Sequence, residues 1–483
     1  MPHDELPFTS ATDALAAFRS GELSPVELLD AVLARATVVE PHVNALVTVR
    51  RDAAYAAARE AEARYRGKGG GDPRPLEGLP VAVKEGQPIK GEPLVLGSRL
   101  MKDVIANETA PIVERIARAG GVIHARTTTP EFGAAAFTHS DTWGVTRNPW
   151  NLACTPGGSS GGSAAALASG STILATGSDI GGSIRIPASL CGVVGYKPPY
   201  GRVPQLPPFN LDTFCADGPM ARTVGDLALL HDVIAGRHPV DQASLPFTAA
   251  ISLDGAADRI RGMRIAWART SGDFPVEREV ELATELVASM LEELGADVEE
   301  VDIPVSMDLL YAAAFTHYGA LMGPGIDEMG ETGGDRLTPY VREFRERADA
   351  AFDEHGFYRG IKLEAEIDAA VTGVLEPFDA CILPTMTALG LAAGDDFTET
   401  RVVVDGTELD FYLLAALAPL FNVLGRRPVM AVPSGISSIG VPMGVQVVGR
   451  PFDDATVFDV SAALEGAFGW WTSREWRPRA VPW

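Results

Sequence analysis

Short apolar runs exchange with longer amphipathic stretches along this chain, a pattern that predicts strands alternating with helices. Leu79 to Val83 is apolar and valine-rich, which predicts a buried strand with Lys84 at its end. Val122 to Ala125, Thr172 to Ala175, Met263 to Trp267, Val298 to Val301, Ala380 to Pro384, Pro428 to Pro433 and Gly440 to Val448 read as further strands. Residues 9 to 37 read as two short helices. The second opens with the capping box Ser24-Pro25-Val26-Glu27, proline standing at the first helical position. Other helices are predicted from Pro111, over Ser163 to Ser169, Thr223 to Ile234, Val276 to Leu294 and Asp454 to Phe468. The stretch from about 305 to 370 is helical, charged and dotted with aromatics, a candidate cap over a pocket. No repeat period or domain boundary is visible, so the predicted architecture is one large α/β domain over residues 1–483.

Composition narrows the function classes. With 64 acidic against 40 basic residues the formal net charge is −24. Such a surface repels phosphate backbones, which argues against nucleic acid or an anionic membrane as partner. The four cysteines, at 154, 191, 215 and 381, show no C-x-x-C spacing. Neither a disulfide framework nor a zinc knuckle is indicated, and a reducing compartment fits. Met1 to Ser10 carries Asp4 and Glu5 and no apolar core, unlike a signal peptide. Phe411 to Leu424 is apolar but broken by Pro419 and Asn422 and too short to span a bilayer. The expectation is a cytoplasmic enzyme with a small-molecule substrate, no metal and no other cofactor, working as a monomer or homodimer.

Two glycine-rich segments carry the candidate chemistry: Gly157-Gly158-Ser159-Ser160-Gly161-Gly162-Ser163 and Gly177-Ser178-Asp179-Ile180-Gly181-Gly182-Ser183. Glycine lets backbone N–H groups converge, so those of Ile180, Gly181, Gly182 and Ser183 form a candidate oxyanion hole, with Ser183 the first candidate nucleophile. In the first segment Ser159, Ser160 and Ser163 are rivals that residue type alone does not separate. None of the eight histidines lies in either segment. Lys84, ending an apolar strand where its charge is costly to bury, is therefore the best candidate base. Asp179 and Glu85 are possible electrostatic partners, though carboxylates in sharp turns more often cap backbone N–H groups. Arg185 reads as a brace for the loops.

At this point the chain resembles the amidase signature family of serine hydrolases acting on carboxamides. The resemblance rests on Val81 to Glu85, Pro130 to Gly133, Thr146 to Trp150, Pro156 to Ala166, Gly177 to Ala188, Gly192 to Pro198 and Gly218 to Thr223. It is strongest from about 79 to 230 and returns from 421 to 465. The resemblance implies a mixed central β-sheet flanked by helices and a Ser–Ser–Lys triad. Ser183 falls on the nucleophile, Ser159 on the bridging serine with its cis peptide bond, and Lys84 on the base. Ile180 stands where many members have threonine, which leaves the backbone donor in place. The resemblance also puts the loops around Phe132, Gly133 and Thr155 on one side of the substrate pocket.

The expected function is a stand-alone amidase, cleaving a carboxylic acid amide through a Ser183 acyl-enzyme. The alternative is the glutamine-hydrolysing subunit of a tRNA-dependent amidotransferase, similar in length and motifs. Against it stands the stretch from about 262 to 420, in which no glutamine-binding or partner-facing segment of that subunit is recognised. A catalytically inactive scaffold is the third reading, disfavoured by the intact Lys84, Ser159 and Ser183.

Overall fold

The computed structural model describes residues 4–247, 249–330, 336–471 and 476–482. Its centre is an eleven-stranded mixed sheet. The strands are β1 (Leu46–Val49), β2 (Pro80–Lys84), β3 (Val122–Thr127), β4 (Leu174–Asp179), β5 (Val194–Lys197), β6 (Ala216–Ala221), β7 (Arg264–Trp267), β8 (Asp297–Glu300), β9 (Ala380–Pro384), β10 (Val429–Ile436) and β11 (Pro442–Gly449). Their order is β1-β3-β2-β4-β6-β5-β10-β11-β9-β7-β8. β3, β2 and β4 run parallel to one another, as do β9, β7 and β8, while β6, β5, β10 and β11 join these blocks in antiparallel fashion. The chain is thus a single α/β domain built on a mixed sheet with helices on its faces.

The flanking helices include α1 (Pro25–Val43), α2 (Pro111–Arg118), α3 (Gly161–Ser169), α4 (Arg185–Cys191), α5 (Val224–Ile234), α6 (Arg278–Glu293), α7 (Met307–Gly330), α8 (Pro339–Leu375) and α9 (Asp454–Phe468). The capping box at Ser24 forms as the sequence predicts: Ser24 accepts from the Val26 and Glu27 N–H groups, and Glu27 accepts from the Ser24 N–H. The helical stretch after residue 305 resolves into α7 and the long α8, with Gly356 at φ 66° breaking the latter's helical geometry.

Strand periodicity decides where the chemistry sits. Successive side chains of a strand point to opposite faces. Val81 and Val83 pack with Ile112, Ile116, Leu227 and Leu464, the face covered by α2, α5 and α9. Ala82 points the other way, into a layer with Ala164 and Leu167 of α3, Ala175 of β4, Ile184 just before α4 and Ala188 within it. Lys84 continues that second face. Small side chains let these two helices approach closely. Against the sheet the approach of α3 is closer still: a Cβ added at Gly162 would lie 2.5 Å from the nitrogen of Thr128, just after β3, and 2.7 Å from its carbonyl oxygen.

The structure departs from the sequence expectation in two places. Gly177, Ser178 and Asp179 belong to β4, so the second glycine-rich segment is half strand and half loop. β5 and β6, in the middle of the sheet, have no counterpart among the strands expected from the sequence. Among the described residues no helix is long and apolar enough to cross a membrane, and no group of His, Cys, Asp or Glu is arranged to hold a metal ion.

Candidate active site

Lys84 closes β2 with its side chain 3% exposed, and three hydroxyls surround its Nζ. Ser159 Oγ lies at 2.7 Å, Ser178 Oγ at 2.9 Å and Ser160 Oγ at 3.0 Å. Burial pulls its pKa down from 10.5 to about 8, against the opposing charges of Asp217, Cys215, Asp179 and Glu85. Proton counting then separates the hydroxyls. An ammonium can donate to all three, but a neutral amine has two hydrogens and one lone pair, so one hydroxyl must turn and donate to it. Ser160 donates to the Ser178 carbonyl at 3.3 Å, which leaves Ser159 and Ser178 free to do so. Ser159 is the closer. Ser163, the remaining rival, is tied to Thr127 Oγ1 at 2.7 Å and donates to the Thr176 carbonyl at 2.8 Å, away from the lysine.

The peptide bond Gly158–Ser159 is cis. The Ser160 N–H donates to the Ser183 carbonyl at 3.1 Å, which locks the two serine segments together. Ser183 lines a recess of about 30 Å³ with Gly158, Ile180, Gly181 and Tyr318. A larger cavity of about 260 Å³ holds Lys84, Ser159 and Ser178, and Gly133, Ile180 and Met322 line both spaces. Among the described residues no hydrogen bond joins a histidine to Ser159 or Ser183. His124 instead bonds Thr172 at 3.0 Å in the core.

Asp179 shapes the loop before Ser183. Its carboxylate accepts from the N–H groups of Gly182 at 2.9 Å and Ile184 at 3.1 Å. The N–H groups of Ile180, Gly181 and Ser183 donate to no protein acceptor among the described residues. The expected donor set thus keeps three members, while the fourth, Gly182, is committed to the turn itself. Glu85 also caps backbone, accepting from Val95 at 2.6 Å and Leu96 at 3.0 Å, rather than pairing with Lys84. Phe132 and Gly133 line the larger cavity, with positive φ of 53° and 69°.

Thr155 is a correction. It is buried, with its hydroxyl accepting from the Thr138 N–H at 3.2 Å and its own N–H donating to the Leu391 carbonyl at 2.9 Å, and it lines neither space. A small polar residue beside the glycine loop serves packing there. Sequence reasoning also missed Ser178, Asp217, Gln87 and Cys215, all of which line the larger cavity. Ser178 sits inside the second glycine-rich segment and the others carry no local signal, since different strands and loops bring them together.

Comparison with known proteins supplies the family. A model described as Amidase matches residues 27–458. The chain belongs to the amidase family. The glutamyl-tRNA(Gln) amidotransferase subunit of Chloroflexus aggregans (strain MD-66 / DSM 9485) is 33% identical over 500 residues, covering 97% of this chain and 98% of that protein. Among solved structures, a bacterial aryl acylamidase of the amidase signature enzymes superposes with a TM-score of 0.90 at 28% identity, covering 99% of both chains. A 6-aminohexanoate cyclic dimer hydrolase complexed with substrate gives 0.82 at 30% identity, covering 99% of this chain and 100% of that one. This amidase-family member is therefore a serine-based hydrolase of carbon–nitrogen amide bonds. The expectation that residues 262 to 420 set it apart from the amidotransferase is corrected, because the sequence likeness runs through that stretch as well.

Proposed function

We propose that Ser183 is the nucleophile, Ser159 the proton relay and Lys84 the base of an acyl-transfer reaction on a carboxamide. The observation that carries this is the buried Lys84 amine at 2.7 Å from the Ser159 hydroxyl, beside the loop that presents Ser183. Ser183 Oγ attacks the amide carbonyl as its proton passes to Ser159 and that of Ser159 to neutral Lys84. The free N–H groups of Ile180, Gly181 and Ser183 hold the oxyanion. The relay returns a proton to the leaving nitrogen, and water then releases the acid by the same path.

Different observations favour two finer readings. Sequence likeness supports the glutamine-hydrolysing component of an amidotransferase better than it supports a stand-alone amidase. The cavity favours the second reading, which is the one the geometry supports best: an amidase for substrates with an apolar segment and no free carboxylate. Leu96, Ala110, Leu206, Phe209, Leu321 and Ile326 line its walls, and Lys84 is its only basic lining residue among those described. Glutamine would bring an α-carboxylate with no cation to receive it except the base itself. Helices α7 and α8 give the two spaces Tyr318, Leu321, Met322 and Phe344, consistent with a cap.

An ammonia-release screen of the purified chain tests this. Turnover of aliphatic or aromatic amides by the chain alone is expected. Hydrolysis of glutamine alone, appearing only with partner proteins and tRNA, would establish the amidotransferase reading instead.

The pH profile is a separate expectation. Amide hydrolysis should rise with an apparent pKa of about 8 as Lys84 loses its proton, with roughly one molecule in ten competent at pH 7. The pH dependence of kcat/KM between pH 6 and 10 checks it. A flat profile over that range would remove Lys84 as the base.

A further inference from the structure

The larger cavity contains one carboxylate for which the relay has no use. Asp217 lies in β6 directly across from Ser178 of β4, so the two side chains share a face of the sheet, and Ser178 in turn touches Lys84. Asp217 is 8% exposed and lines the cavity. Its side chain takes a hydrogen bond from Gln87, whose amide nitrogen also donates to the Gly177 carbonyl at 3.0 Å. No arginine, lysine or histidine among the described residues comes within ion-pair distance of it. The opposing charge it feels is that of Lys84, beyond Ser178, which is lost when the amine is neutral; Asp179 by contrast is held by an arginine, and Glu85 by two backbone donors.

From this placement we infer that Asp217 is a specificity-determining residue that receives a cationic group of the substrate, so that the preferred substrates are amides carrying a primary ammonium at the end of an apolar segment. The inference rests on the amidase reading above and names its substrate class. A carboxylate in the wall of a cavity otherwise lined largely by apolar side chains, beside the relay, forms a receptor for an amphipathic cation. An ammonium fills the gap that the protein leaves at Asp217, where a neutral alkyl chain would strand the charge. Burial raises the carboxyl from 3.8 to about 6, so it still carries its charge at the alkaline pH where Lys84 is neutral. The overall charge of −24 also draws cations toward the molecule.

The test compares ω-amino alkanamides of increasing chain length with their isosteres in which methyl replaces the ammonium. Both members of a pair use the same Ser183 and Lys84, so the ratio of their kcat/KM values cancels any effect of Asp217 on the base. The wild-type protein should prefer the best-fitting amino amide by about ten- to a hundred-fold, the scale of one charge-assisted hydrogen bond. Asp217→Asn should bring that ratio close to one, and Asp217→Ser provides the same comparison if the first variant does not fold. A wild-type ratio at or below one, or a preference that survives in both variants, overturns the inference. If no amide of either series is hydrolysed, the amidase reading fails, and titration calorimetry of n-alkylammonium against the matching alcohol on the S183A protein takes over. Tighter binding of the cation that D217N abolishes sustains the role of Asp217; equal binding ends it.

Discussion

Replacing Ser183 with alanine is expected to lower amide hydrolysis by roughly 10⁴-fold or more while the fold persists, because catalytic groups that act as a unit fail together. Ser183 is 7% exposed and its hydroxyl makes no hydrogen bond with protein groups among the described residues, so its removal disturbs little packing. Lys84→Met is expected to give a loss of similar size for a different reason. Methionine fills much of the same volume, yet Ser159 then has no acceptor for its proton and the relay stops at its first step. The two variants separate in a second measurement. A serine-directed phosphonate should label the wild type, label Lys84→Met slowly and leave Ser183→Ala untouched, as read by intact mass. Near-wild-type turnover by either variant would sink the assignment of nucleophile or base.

Much of this arrangement is legible in the chain, and what is not has a physical cause. Strands β2, β9 and β10 announce themselves through the continuous apolar runs Val81 to Val83, Ala380 to Leu383 and Val429 to Val432, because both faces of the sheet are covered there and no polar alternation is needed. β5 and β6 are just as central but contain Gly195, Lys197, Asp217, Gly218 and Pro219. Each of those residues lowers strand propensity, and each is tolerated because tertiary packing decides. Gly218 makes the point: a Cβ there would press on the Tyr196 carbonyl of the neighbouring strand. Lys197 is compensated by three carbonyls, those of the adjoining Pro198 and of the distant Gly425 and Arg427. The triad candidates are visible because glycine and serine cluster locally around Ser159 and Ser183, and because a lysine at the end of an apolar strand is out of place. Asp217 and Gln87 are invisible because their significance comes only from the register of β6 against β4.

The loop carrying Ser183 depends on a buried ion pair, and its disruption gives the largest expected effect on stability. Asp179 and Arg185 are both 0% exposed. The guanidinium donates from Nε to Asp179 Oδ2 at 3.0 Å and from Nη2 to Oδ1 at 2.8 Å, a bidentate fork. Its remaining donors reach the Ala418 carbonyl at 2.7 Å, Gln446 Oε1 at 2.6 Å and Asn422 Oδ1 at 2.7 Å. Arg185 thus fastens the serine loop to segments more than two hundred residues later, in the role of brace that its position suggests. Burial by itself would raise the Asp179 pKa, yet the charge and hydrogen bonds of Arg185 and the amide of Asn422 hold it well below the usual carboxylate range. Removing one partner leaves the other charge buried and unpaired, which costs about 3–5 kcal/mol. Arg185→Met and Asp179→Asn are each expected to lower the chemical-denaturation midpoint accordingly, and to lower turnover even in the folded fraction, because the Gly182 turn loses its anchor. Arg185→Lys should recover little, since an ammonium cannot form the fork or reach all of these acceptors at once. The pH dependence carries the same signature. A depressed folded-state pKa means the pair stabilises fully above the ordinary value of 3.8 and loses that contribution as pH falls through the lower folded value. Acid unfolding of the wild type should therefore be steeper than that of Asp179→Asn from pH 3.8 down to the lower folded value, and identical acid limbs for the two proteins would show that this pair does not hold the loop.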